Sequence, residues 1–381
     1  MEAARSKLLA SAAYLHAEEV RLHLGVLAAA AAAAVAFGAL PVKLNPLIQP
    51  LMSSIRREGD PLLQRQSAAA LAGLIKVCTA RVPSPVNKIS QNIIVMACAD
   101  PSETPRAEAA AGGAAATAAA AAAAATVAAA AGDVDELTEH AVARRGAEAT
   151  MCEMSHAFGE HLFTSVPKLW ELMAWPLAPA AAAVGEVGST SPPAAPQTTS
   201  PPAAPQTIID GLQLLKVLGP VVHSSLRPRV LQLVNPAFAA AVHGGGSAAL
   251  QGAAAGALAS LAAAAPDDIL PGLLALVVPA LEDAGEADDA AAMRRGGAAV
   301  AAALVSKLGT SLAPCCVLLL VPLMGRMSDP VVGPPPDPGP SVCRECIPAL
   351  LPPPALSLSP LEEMPSQRDG GDAPPTAFEC Q

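Results

Sequence analysis

Apolar residues in this chain recur at helical spacing, in blocks cut by proline. Leu47, Ile48, Leu51, Met52 and Ile55 fall at i, i+1, i+4, i+5 and i+8, one stripe of a helix predicted over 45–58. Gly59-Asp60-Pro61 then predicts a turn, with Asp60 near an N-cap and Pro61 in the first turn of a second helix. That helix, over 62–78, would turn Leu71, Leu74, Ile75 and Cys78 inward. The two form an antiparallel pair on a short loop. Further helices are expected over 1–40, 86–98, 133–159 and 166–175.

Three of the prolines keep time. Leu-Val-Asn-Pro236-Ala-Phe, Leu-Val-Val-Pro279-Ala-Leu and Leu-Leu-Val-Pro322-Leu-Met are spaced by 43 residues and 43 again. A second anchor follows each of several prolines by fifteen residues: Arg65 after Pro50, Gln251 after Pro236, Arg294 after Pro279. Arg144-Arg-Gly runs fifteen residues to Gly159, as Arg294-Arg-Gly does to Gly309. A period in this range is the mark of stacked helix pairs. The expected fold is all-α, an α-solenoid of HEAT-like helix pairs with low-complexity insertions, and such a fold is a surface for holding partners.

Composition divides the chain. Residues 1–105 read as the first helix pairs, 106–132 as an alanine-rich insertion, and 133–184 as resumed helical pairs. A Pro/Thr-rich linker follows at 185–207, where Ser191-Pro-Pro-Ala-Ala-Pro-Gln-Thr repeats from Ser200. Residues 208–330 hold the clear repeats, and 331–381 read as a Pro-rich, largely disordered tail. The apolar share is 52% but aromatics are 2%, so a core must come from Leu, Val, Ile and Met packed over small residues. Mean hydropathy is +0.42, yet the uncharged runs at 24–42 and 109–132 are mostly alanine, and no membrane contact is expected.

A net charge of −10 speaks against autonomous nucleic-acid binding, which needs a basic footprint. The Arg56-Arg57, Arg144-Arg145 and Arg294-Arg295 pairs read as solvated helix faces or repeat ladders. Eight scattered cysteines with no secretory signal before them suit a reducing compartment.

Motifs that carry chemistry are absent from the sequence. Gly-Lys never occurs, so there is no phosphate loop, and neither a helicase box nor a Gly-x-Ser-x-Gly elbow is present. Cys343-Arg-Glu-Cys346 with Cys315-Cys316 makes a poor zinc set, because adjacent cysteines are an awkward ligand pair. His156 and His161 are five apart, and no His-Glu-x-x-His occurs. Histidines are therefore read as structural or superficial, and Trp170 and Trp175 as core packing. Asp60, Asp283 and Asp329 sit near loops and read as helix caps. The chain is expected to be no enzyme. It has no catalytic, cofactor-binding or metal residue to name, no cofactor, and no partner-contacting residue that the sequence singles out.

Several segments nonetheless resemble one family. Lys43-Leu-Asn-Pro-Leu-Ile-Gln-Pro-Leu-Met-Ser-Ser-Ile-Arg-Arg-Glu is one, and Cys78-Thr-Ala-Arg-Val-Pro-Ser-Pro-Val-Asn-Lys-Ile and Cys98-Ala-Asp-Pro-Ser-Glu-Thr-Pro are two more. Arg144-Arg-Gly-Ala-Glu, His156-Ala-Phe-Gly, Pro167-Lys-Leu-Trp-Glu-Leu-Met and Leu318-Leu-Leu-Val-Pro-Leu-Met-Gly-Arg-Met-Ser-Asp follow in order. Together they resemble the middle region of the TATA-binding-protein-associated factor 172 family, the modifier-of-transcription ATPases. The resemblance implies a HEAT-repeat solenoid joined to a Swi/Snf-type ATPase. It further implies a nuclear setting, the TATA-binding protein as partner, and its removal from DNA by ATP hydrolysis. DNA contact would come only through family regions outside this chain, as would the motor. The expectation is thus the central scaffold of such a regulator. An unrelated HEAT-type adaptor, or a non-functional gene fragment, is left open by the residues themselves.

Overall fold

Proline and small residues decide where the helices of this chain begin and bend. The computed structural model describes residues 2–38, 43–107, 134–178, 204–243, 247–285 and 287–326. The alanine tract, the Pro-Ala-Ala-Pro tandem, the tail, Asp329 and the Cys343–Cys346 pair lie outside the described residues. All regular structure among the described residues is helical: α1 (Glu2–Phe37), α2 (Asn45–Arg57), α3 (Pro61–Cys78), α4 (Val86–Ala97), α5 (Val134–Phe158) and α6 (Pro167–Ala174). Then come α7 (Pro205–Leu218), α8 (Val234–His243), α9 (Ala248–Ala264), α10 (Pro266–Glu282), α11 (Asp288–Leu308) and α12 (Cys316–Gly325). Helix α7 starts at Pro205, inside the stretch expected as linker, because proline suits the first helical turn, where its missing N–H costs nothing.

The helices pack as two layers. Helices α2, α4, α6, α8 and α10 each lie against the helix that follows: α3, α5, α7, α9 and α11 respectively. The second members also pack on one another in sequence, α1 on α3, α3 on α5, α7 on α9, and α9 on α11. First-layer helices bridge to the next pair, α2 onto α5 and α8 onto α11. This is a helical-repeat solenoid. One apolar core runs from Leu44 to Leu323, and a smaller cluster of Ala31, Leu51 and Leu74 seats α1. Leu51, Ile55, Leu71, Leu74 and Ile75 are wholly buried, each worth about 1.5–3 kcal/mol by removal from water.

The 43-residue prolines all fall in first-layer helices: Pro236 in α8, Pro279 in α10, Pro322 in α12, with Pro50 in α2. At Pro236 the effect is visible. A proline lacks the N–H that would bond four residues back and crowds that carbonyl. The chain opens into a turn at 232–233, between the helical stretch Arg227–Leu231 and α8. Asp60 caps α3 as expected, its Oδ1 accepting from the Leu62 N–H at 2.9 Å.

The paired fifteen-residue steps also have a structural meaning. Gly159 and Gly309 lie directly after α5 and α11, with φ of 54° and 51°. Each ends its helix in the left-handed region that glycine tolerates, and each opens a 3-10 turn.

By length and composition, residues 18–37 and 288–325 would suffice to cross a membrane. In the fold the first packs its Leu27, Ala31 and Val35 against α2 and α3. The second is no single helix: Gly309 divides it, and Val300, Leu304 and Leu312 are buried in the core.

Candidate functional site: a polar seam and its neighbours

The loop after α4, residues 98–107, joins three helices through charge. Asp100 is 2% exposed. Its Oδ1 accepts from the N–H and Oγ of Ser102, at 3.0 and 2.7 Å, and its backbone oxygen accepts from the Thr104 N–H at 2.8 Å. Its Oδ2 accepts from Nε of Arg144 on α5 at 2.9 Å, and Arg144 Nη1 reaches Glu148 one turn on at 2.8 Å. Burial raises the Asp100 pKa, but Ser102 and Arg144 outweigh it and hold the carboxyl below its ordinary range. Burial opposes the charge of Arg144 too, and its two carboxylate partners overcome that.

The same loop grips α7. Glu103 pairs with Lys216, and the Ala107 N–H donates to Gln206 Oε1 at 2.8 Å. Gln206 Nε2 in turn donates to Asp210 Oδ1 at 2.9 Å, and Cys98 Sγ lies 3.9 Å from the Asp210 carbonyl oxygen. Burial, then the nearby Asp210, pushes the Cys98 thiol up to about 12, so it stays protonated and unreactive. Burial also raises Asp210, with Gln206 opposing. The seam therefore holds the helices before the Pro/Thr-rich stretch to those after it. Beside it lies an open groove of about 710 Å³ edged by Glu103, Arg144, Glu148, Cys152, Lys216 and Lys307.

A second polar knot closes the C-terminus of α2. Gln64, buried on α3, donates through Nε2 to the carbonyls of Ile55 and Val142, at 2.7 and 2.8 Å. Arg145 Nε donates to Gln64 Oε1 at 2.7 Å, and its Nη2 reaches the carbonyls of Glu58 and Gly59. The end of α10 is met likewise. Arg294 Nη1 donates to the carbonyls of Asp283 and Gly285, and Arg326 reaches those of Leu281, Glu282 and Asp283. Such bonds satisfy carbonyls that a helix end leaves without partners.

Arg144 and Arg294 follow the repeat-ladder half of the expectation and not the solvated-face half; Arg294 is 7% exposed. Two other expectations are corrected. Arg65 is not the counterpart of Arg294, since it is 69% exposed in its side chain and, among the described residues, pairs with Glu153, while Gln64 beside it makes the buried bonds. The tryptophans part ways: Trp170 is half-buried, but Trp175 opens a 3-10 turn and is 53% exposed. Trp170 lies 5.1 Å from the Phe163 ring, and Arg229 sits over it at 4.0 Å. Asp283 does lie at the end of α10, its Oδ1 accepting from the Gly285 N–H. Cys315 and Cys316 straddle the start of α12, and among the described residues no cluster of three or more His, Cys, Asp or Glu is placed to hold a metal ion.

Gln64, Asp100, Glu103, Arg144 and Arg145 lie within the part of the chain that a family model matches. A domain of unknown function (DUF3535) matches residues 1–172. The chain is 33% identical over 256 residues to the TATA-binding protein-associated factor BTAF1 of Arabidopsis thaliana, covering 64% of this chain and 12% of that protein. It is 44% identical over 84 residues to the human TATA-binding protein-associated factor 172, covering 22% of this chain and 4% of that protein. Its relatives are TATA-binding-protein-associated factors. The factor mot1 of Aspergillus fumigatus matches over 214 residues at 30% identity, 55% of this chain and 11% of that protein. The chain thus spans about an eighth of the length of these factors or less. Asp100, Gln64 and Lys216 were not singled out by the sequence. Asp100 stands within a family-like segment, but nothing in its neighbours tells that it is buried.

Proposed function

We propose that this chain is a scaffold portion, built of HEAT-like pairs, of a nuclear transcription regulator that engages the TATA-binding protein. The observation that carries this reading is the match to TATA-binding protein-associated factors from a plant, a fungus and human. The architecture supports it: stacked helix pairs offer long faces and loops for holding another protein. In this reading the chain positions partners and does no chemistry. With no phosphate loop in its sequence, ATP-driven removal of the TATA-binding protein and contact with DNA fall to other regions of such a regulator.

Retention of the purified full chain on immobilised TATA-binding protein tests the partner. Retention that free TATA-binding protein competes away is the expected result, and none at micromolar concentration overturns it. An ATPase assay with and without duplex DNA tests the division of labour. No turnover is expected, and DNA-stimulated hydrolysis would overturn the scaffold assignment.

A further inference from the structure

A groove of about 770 Å³ runs between α2 and α4, where the turn after α3 folds back. Lys43, Arg81 and Lys88 edge it, with the amides Asn45, Gln49 and Asn92 among them. No carboxylate among the described residues lines it. Both lysines and all three amides are exposed, and neither lysine makes an ion pair among the described residues. Ile48, Met52 and Ile89 supply its apolar lining.

This is a local reversal of sign on a chain of net charge −10. Its chemistry selects among acidic ligands. A nucleic acid needs a longer basic track to offset the repulsion of so negative a protein, and phosphates gain nothing from Ile48 or Met52. An acidic peptide uses every part. Its carboxylates meet the lysines, its apolar side chains settle on Ile48 and Met52, and the three amides offer both donors and acceptors to an extended main chain.

We propose that this groove binds an extended acidic segment of a partner protein, one that carries apolar side chains between its carboxylates. Lys43 and Lys88 belong to two of the segments that resemble the family, yet the proposal does not depend on the TATA-binding protein being the partner. Failure of either experiment therefore leaves the other standing.

The probe is a short fluorescent peptide of alternating glutamate and leucine, titrated with the full chain and read by anisotropy. Saturable binding is expected, weakened about tenfold or more in Lys43→Glu/Lys88→Glu, a loss of two exposed ion pairs turned to repulsion. Lys168→Glu, on α6 and not among the groove's lining residues, should leave it unchanged. If the reversal lowers helical circular dichroism, Lys43→Gln/Lys88→Gln replaces it and should weaken binding in the same direction. The proposal is overturned by absence of saturable binding, by indifference to these lysine substitutions, or by a labelled DNA duplex binding more tightly than the peptide.

Discussion

Arg144 on α5 and Arg294 on α11 hold one place in two repeats and solve one problem with different chemistry. Each begins an Arg-Arg-Gly, each reaches back to the loop that leaves its own first-layer helix, and each is followed fifteen residues on by a glycine of positive φ. The loop after α4 answers Arg144 with the buried carboxylate of Asp100. The loop after α10 answers Arg294 with the backbone carbonyls of Asp283 and Gly285. The glycines agree as well. A Cβ at Gly146 would lie 2.0 Å from the Ile55 carbonyl oxygen of α2, and one at Gly296 would lie 2.7 Å from the Ala241 carbonyl oxygen of α8. The repeat thus fixes where an arginine and a glycine must stand, while each loop chooses how the charge is met. In the first case the described compensation includes an ion pair open to acid; in the second the described bonds run to backbone carbonyls.

Crowding at the two glycines gives the largest expected effects. Gly146→Ala should cost about 3 kcal/mol or more, since its Cβ would meet backbone as well as buried Gln64. Gly296→Ala should cost less, about 2 kcal/mol, because the clash is shallower. Urea midpoints of the two variants check the order, and a larger loss at Gly296 would break the parallel between the repeats.

Next comes the charge. Asp100→Ala removes one of the two carboxylates that meet Arg144, together with the Ser102 bonds, for about 2–3 kcal/mol. Asp283→Ala should cost under about 1 kcal/mol, because Arg294 uses the backbone there. Equal losses in thermal unfolding would show that the two loops do not differ as described.

Acid sharpens the same contrast. Asp100 has its folded pKa depressed, so its stabilisation is present above the ordinary carboxylate pKa of about 3.9 and is lost as pH falls through the folded value. The gap in urea midpoint between wild type and Asp100→Asn should therefore be wide at neutral pH and close in acid. Asp210 runs the other way. Its folded pKa is raised, so its contribution is present in acid and lost as pH rises through the folded value. Asp210→Asn should be a little more stable than wild type at neutral pH, with the gain fading below the ordinary carboxylate range; a loss at neutral pH would contradict burial as the dominant cause.

The smallest effect is at Arg65, set against its neighbour Gln64. Arg65→Ala should change stability by under about 0.5 kcal/mol, while Gln64→Ala should cost about 2 kcal/mol. The two denaturation curves decide whether the buried amide or the exposed arginine is the anchor of α3.

Those neighbours show where sequence reading succeeds and where it stops. The fifteen-residue step found the Arg144 and Arg294 positions, because two copies of a packing solution repeat their residue types. It misplaced the anchor at Arg65, because one residue along a helix turns a side chain about 100° and converts a buried position to a solvated one. It also read Trp175 as core, since hydrophobicity at the end of a helix does not say which side the next turn takes.

The sequence by itself determined that this chain is a stack of helix pairs, that prolines recur on a 43-residue beat, and that Asp60 starts α3. These are local matters: spacing, caps and the missing proline N–H act over a few residues. Only the tertiary structure decided that Asp100, Arg144, Glu103 and Lys216 form one seam, and that Lys43, Arg81 and Lys88 edge one groove with no carboxylate among its described lining residues. Their partners lie on different helices. Burial and charge compensation depend on how those helices stack, which no local pattern records.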